Sequence, residues 1–226
     1  MKKLLLALVI ATGTALAAPY PQQDIGGVIS QEGFSLDKIL KIIDNMGKVV
    51  GTYPPALDSE SDKKRAKDDI TALSNILNLA VKKNMVKPGQ PDYFYVSLSQ
   101  ARLGWFGHNL QMNQGGASAD VAYQRAIQAA PANLAGAVKE EYGRFLTATG
   151  NLRQAETYLR EAYRGDSRLG KALGLNLLAQ GKLQDAQQVL QQYAKSHPKD
   201  SAVKEVLAGL QSGKIKVDAA GQIKVQ

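Results

Sequence analysis

Apolar residues recur at spacings of three and four along most of the chain, and this period predicts helices. The first stripe is Leu36, Ile39, Leu40, Ile43, Met46, Val49 and Val50, with Ser35 placed to cap it and Gly51 and Pro54-Pro55 to end it. A second stripe, Ile70, Leu73, Ile76, Leu77, Ala80 and Val81, predicts a helix from about Ser61 to Lys83. Val86 to Pro91 closes it. A third helix is expected over Asp92–Trp105, with Asp92 as its cap. Gly104, Gly107, His108, Asn109 and Gly115-Gly116 then break the pattern, so residues 107–117 read as a loop, long for a helical protein. A fourth helix follows over Ser118–Ala130, with Ala119, Ala122, Tyr123, Ala126 and Ile127 on one face and Pro131 as its stop.

From Leu134 the order helix, glycine turn, helix occurs twice, through Thr149-Gly150-Asn151 and Gln180-Gly181-Lys182. A last helix is expected over about Ser201–Gln211. The tail, GKIKVDAAGQIKVQ, changes to a period of two. Setting Ile215 against Val225 and Val217 against Ile223 puts four apolar residues on one face and leaves Ala219-Ala220-Gly221 as a hairpin loop. The predicted organisation is a segment 1–17, a flexible leader 18–34, an N-terminal helical pair 35–91 that caps the array, repeats and a final helix over 92–211, and a hairpin over 212–226.

The two helix-turn-helix copies keep the same small and leucine positions at an offset of 31 residues: Gly143/Gly174, Ala148/Ala179, Gly150/Gly181, Leu152/Leu183, Ala155/Ala186 and Leu159/Leu190. Glycine after the first helix suits a left-handed C-cap. Gly143/Gly174 would give clearance between the two helices, with Ala155/Ala186 facing them, and the leucines would fill the gap to the next copy. The surface between these positions is free to drift.

These residues resemble the tetratricopeptide repeat family. In residues 136–167 its pattern falls on Gly143, Gly150, Ala155, Leu159 and Ala162, with Ser167 near the closing proline position. In residues 167–200 it falls on Gly174, Gly181, Ala186, Leu190, Tyr193 and Pro198, with Tyr193 in place of a small residue, a departure expected to loosen local packing. An irregular copy ends with Ala119, Tyr123, Ala126 and Pro131. The period is a little below the usual ~34 residues. The resemblance implies an all-α, antiparallel helix-pair solenoid, here with a short C-terminal β-hairpin. It also implies a groove lined by the first helix of each pair, at Glu140, Arg144 and Thr147 in one repeat and Lys171, Leu175 and Leu178 in the next. A mixed charged and apolar groove suits an extended peptide or a partner helix.

Composition adds a compartment. Lys2-Lys3, the apolar run Leu4–Ala11 and Ala15-Leu16-Ala17 read as a secretory signal peptide cut after Ala17. The expected destination is the periplasm or the extracellular space, as a soluble protein. With no cysteine, disulfides, thiolate metal sites and an N-terminal lipid anchor on cysteine are excluded. The net charge of +8 falls to +6 once Lys2 and Lys3 are removed. The basic run Lys63–Lys67 is bracketed by acids and reads as a solvated helix face. No nucleic acid partner is expected of an exported protein; a protein or peptide is expected, and an anionic envelope polymer or membrane surface is the alternative.

Candidate chemistry is sparse. His108 and His197 have no partner at metal-ligand spacing, so no metal or cofactor is expected. Trp105 and His108 border the long loop and could touch a partner, although Trp105 and Phe106 also suit a core. Glu140-Glu141 and Glu156/Glu161 are paired acids without a pocket signal. There is no phosphate-binding loop, dinucleotide fingerprint or nucleophile elbow, so the chain reads as a scaffold or adaptor and not an enzyme.

Overall fold

A computed structural model of the protein describes residues 19–31, 33–217 and 223–225. The signal segment 1–17 lies outside the described residues. Contacts divide the chain into two compact units, one ending at Pro131 and the other running from Ala132 to the C-terminus.

In the first unit, α1 (Leu36–Val50) starts where Ser35 accepts a hydrogen bond from the Lys38 amide. α2 (Glu60–Lys82) starts where Ser59 accepts one from Asp62. Such caps satisfy amides that a helix start leaves without partners. α3 (Pro91–Asn109) opens on Pro91, which has no amide to leave unpaired, while Asp92 sits in the first turn and makes no cap bond. α4 (Gly115–Ala129) completes the unit. α3 is buried around most of its circumference, from Phe94 to Asn109. Helices α1 and α2 pack mainly on α3, not on each other, and α3 packs most extensively on α4. The pair expected over 35–91 and the helices expected to begin the repeats therefore share one core, built on Ile39, Ile43, Met46, Ile70, Leu73 and Leu103.

The loop expected over 107–117 is shorter than the glycines suggested: α3 runs to Asn109 and α4 begins at Gly115. The glycines mark a close helix crossing. A Cβ on Gly104 would lie 2.6 Å from the Ala119 amide nitrogen, and one on Gly115 would lie 2.5 Å from that of His108. Backbone meets backbone there, which only glycine permits. Gln111 and Gln114, both left-handed, turn the chain between the two helices.

The leader expected to be flexible is packed. Tyr20 and Val28 are buried. The Tyr20 hydroxyl donates to Asp69 Oδ2 at 3.0 Å, and Arg65 donates to the Tyr20 carbonyl oxygen at 3.0 Å. The Arg65 guanidinium also stands 5.9 Å from the centre of the Tyr20 ring. Burial, then the Asp69 carboxylate, pushes the tyrosine hydroxyl well above its ordinary range. Strands β1 (Ile29–Ser30) and β2 (Gly33–Phe34) pair antiparallel just before α1. Proline, glutamine and glycine dominate 18–34 and conceal the two residues, Tyr20 and Val28, that fasten it.

The second unit holds α5 (Ala135–Ala148), α6 (Leu152–Gly165), α7 (Gly170–Ala179), α8 (Leu183–Ser196) and α9 (Ser201–Gln211). The strongest packing is within the pairs α5–α6 and α7–α8, followed by α6 on α7 and α8 on α9. β3 (Ile215–Val217) and β4 (Ile223–Val225) pair antiparallel, Ile215 opposite Val225 and Val217 opposite Ile223. The loop residues Ala219-Ala220-Gly221 lie outside the described residues.

Candidate functional site

The repeat is built on clearance at one point per helix pair. A Cβ on Gly143 would sit 2.4 Å from Leu159 Cγ, and one on Gly174 would sit 2.5 Å from Leu190 Cγ. Each glycine therefore meets the leucine of the second helix. Ala155, expected opposite Gly143, approaches through its carbonyl oxygen at 3.3 Å instead. Ala155 and Ala186 are fully buried. Gly150 and Gly181 end their helices at φ of +84° and +75°. In both turns the next amide reaches back five residues, Asn151 to the Leu146 carbonyl and Lys182 to that of Leu177. Gly213 repeats the conformation after α9, at φ +68°. α9 is thus the first helix of a third pair, and β3 follows in place of a second helix. Ile215 fills the space over Gly209, where a Cβ would lie 2.8 Å from its Cδ1.

The first helices of successive pairs are tied together by buried polar contacts. Asn176, fully buried on α7, donates from Nδ2 to Thr147 Oγ1 on α5 at 2.9 Å. Thr147 in turn donates to the Gly143 carbonyl at 2.8 Å. Between α7 and α9, Lys171 Nζ lies 2.8 Å from Asp200 Oδ2, which also accepts from the Tyr193 hydroxyl at 3.1 Å. Burial alone would raise Asp200, but Lys171, the Val203 amide and Tyr193 together hold it below its ordinary range. Tyr193 does not loosen its repeat. It is buried, and its ring stacks on that of His197 at 4.1 Å.

The expected groove residues divide accordingly. Leu178 is fully buried and belongs to the core, so it offers no contact to a partner. Thr147 and Lys171 are engaged within the fold, by Asn176 and Asp200. Arg144 is exposed, and Glu140 and Leu175 are half-buried. Burial raises the Glu140 carboxyl, with Arg144 opposing. Burial and then Asp200 raise the Tyr193 hydroxyl, with a smaller contribution from the Glu140 charge. Sequence reasoning missed Asn176 and Asp200, because neither position repeats: the offset of 31 places Phe145 opposite Asn176.

A second polar latch was also missed. Glu156 on α6 accepts from Arg160 at 2.8 Å, from Gln180 at 2.9 Å and from Lys182 at 2.6 Å. Burial acts to raise Glu156, yet these donors bring it down to about 2. Glu161, grouped with Glu156 on sequence, pairs with Lys139 at 2.8 Å.

The loop candidates separate. Phe106 is buried against Gly47, Trp105 is half-buried, and His108 is exposed in the last turn of α3. His197 Nδ1 lies 3.1 Å from Ser196 Oγ at the end of α8. No cluster of three metal-ligating side chains occurs among the described residues, and no helix among them is long and apolar enough to cross a membrane.

Helix pairs of this length, each packed on a glycine of the first helix and turned through a left-handed glycine between its two helices, define a helical repeat. Residues 146–210 match the sequence model of the tetratricopeptide repeat. Tetratricopeptide repeats generally mediate protein–protein interaction. Neither the curated proteins nor the solved structures contain a match.

Proposed function

We propose that the protein is an exported scaffold or adaptor of the cell envelope that holds an extended peptide or helix of a partner protein against α5 and α7. One observation carries this reading. The Thr147–Asn176 bond fixes the two first helices side by side, and Glu140, Arg144 and Leu175 remain at their surface. A rigid, pre-set surface spares a partner the cost of ordering it. The signal-like residues Lys2 to Ala17 supply the compartment.

The test is crosslinking in the native envelope from a photoreactive residue at Arg144 or Leu175, with Gln191 on α8 as the control position. Arg144→Glu combined with Leu175→Glu should abolish the crosslinked species without loss of helicity. Lys171 is unsuited to this test, because its replacement by glutamate would set two carboxylates together at Asp200. Equal crosslinking from Gln191 would remove the groove assignment. Export is read separately, from a mature protein whose first residue is Ala18.

A second reading rests on charge. After Pro131 the chain carries 14 basic and 9 acidic residues, against 12 and 11 between residues 18 and 131. The excess in the repeat unit would suit an anionic envelope polymer. Binding to purified cell-wall material that vanishes with added salt supports that reading over the groove.

A further inference from the structure

We propose that the end of α2 and the turn after it form a docking surface for an anionic phospholipid bilayer. The surface belongs to the first unit and is independent of the groove on α5 and α7. α2 closes on Asn84, which is left-handed at φ +56°. The Asn84 amide donates to the Val81 carbonyl at 3.0 Å, and the Met85 amide donates to that of Ala80 at 2.9 Å. These two bonds fix the chain reversal, and a hydrophobic contact from the Met85 position back onto the helix commonly accompanies them. Here Val86 turns inward, at 4% exposed, while Met85 stands 49% exposed. Met85 is held at one side by the β1–β2 hairpin, with its Cε 3.1 Å from where a Cβ on Gly33 would lie. Leu79, in the last turn of the helix, is 52% exposed. Lys82 and Lys83 follow it by three and four residues and so share its face. Residues 82–85 and 87–90 are all exposed, so the turn projects and carries Lys87 beyond Met85. No acid occurs from Ile70 to Pro91, and three lysines accompany the two apolar side chains without a compensating charge in the segment. The helix dipole accounts for lysines at this end but not for Leu79 and Met85. Exposed apolar side chains rimmed by charge mark an interaction surface. A projecting tip offers no cleft to a peptide, whereas a bilayer needs none. The lysine ammonium groups meet lipid phosphates, and leucine and methionine enter the boundary between headgroups and acyl chains.

The test is flotation of the whole mature protein with vesicles of phosphatidylcholine, alone or with about one-third phosphatidylglycerol. Binding should require phosphatidylglycerol and fall with added salt. Lys82→Gln with Lys83→Gln should weaken it about tenfold or more. Leu79→Ser with Met85→Ser should weaken it to a similar degree while leaving the net charge unchanged. Lys195→Gln with Lys199→Gln removes the same charge from exposed positions of the second unit and should leave binding unchanged. Every altered side chain is exposed, so melting curves should stay in place, which separates lost docking from lost fold. Equal losses in the two lysine pairs would assign binding to overall charge and overturn the surface. Equal flotation with phosphatidylcholine alone, or no flotation with either vesicle, also overturns it. Self-association that disappears in Leu79→Ser with Met85→Ser, without flotation, would give the surface to a second copy of the chain instead. The groove on α5 and α7 is read separately, by crosslinking from Arg144 or Leu175, so either can fail alone.

Discussion

Leu159 occupies the space a side chain on Gly143 would need: a Cβ there would lie 2.4 Å from its Cγ and 2.6 Å from its Cδ2. Leu190 stands in the same relation to Gly174. Both leucines are fully buried, so neither can swing into solvent. Gly143→Ala should therefore destabilise the repeat unit by about 1–3 kcal/mol, although alanine favours a helix over glycine by ~1 kcal/mol. Gly174→Ala should behave alike. Gly136, whose Cβ would meet only Leu169 at 3.6 Å, is the control, and alanine there should be neutral or stabilising. Thermal unfolding followed by circular dichroism reads all three. Equal melting temperatures at 136, 143 and 174 would show that the helix pairs do not depend on this clearance.

Tyr20 should hold the N-terminal segment to α2. Tyr20→Phe removes the hydroxyl that Asp69 accepts and leaves the buried ring, for a loss of about 1 kcal/mol. Tyr20→Ala also empties a site only 2% exposed, for a loss of about 3–5 kcal/mol. Limited proteolysis after Gln22 or Gln23 should accelerate in the order wild type, Phe, Ala. Identical cleavage in all three would mean that the segment is not held by this ring.

The Glu156 latch gives the second unit a pH dependence of definite sign. The folded carboxyl lies at about 2, below its ordinary value of 4.5. Between those values the unfolded chain binds more protons, so stability rises with pH there. The contribution is complete above about pH 5 and is lost as pH falls toward 2. Urea midpoints measured from pH 2 to 7 should fall less steeply toward acid in Glu156→Gln than in wild type. Parallel curves for the two proteins would remove Glu156 as the source.

The helix-pair architecture was legible because its determinants recur. Gly143, Gly150, Ala155 and Leu159 reappear 31 residues later, and sterics at those points tolerate little else. The illegible parts lie where one residue type serves two purposes. Gly104, Gly107 and Gly115 carry the composition of a loop but lie in helices whose backbones touch. Tyr20 sits among proline and glutamine, and its partner Asp69 is 49 residues away. The groove was legible only in outline. The periodic pattern marks which face of α5 and α7 is internal to the array, but contacts between repeats decide what remains at the surface. Asn176 and Asp200, which engage Thr147 and Lys171, have no periodic signature.

The end of the array supplies the last prediction. α9 has the left-handed closing glycine of a first helix, Gly213, but β3 takes the position after it. Without a second helix, the apolar side of α9 needs another cover. Ile215, only 7% exposed, provides part of it over Gly209. An uncapped terminal repeat exposes apolar surface that interior repeats bury. Removing residues 214–226 should therefore loosen α9 first, while α5 to α8 retain their own pair contacts. Ile215→Asp should reproduce the effect in the full-length chain, because it sets a charge against that helix. Amide hydrogen exchange reads the result by segment: protection should fall across 201–211 and persist across α5, α6 and α7. Unchanged protection in α9 would show that the strand contributes nothing to its stability, and a uniform fall across the unit would show that the repeats unfold only together.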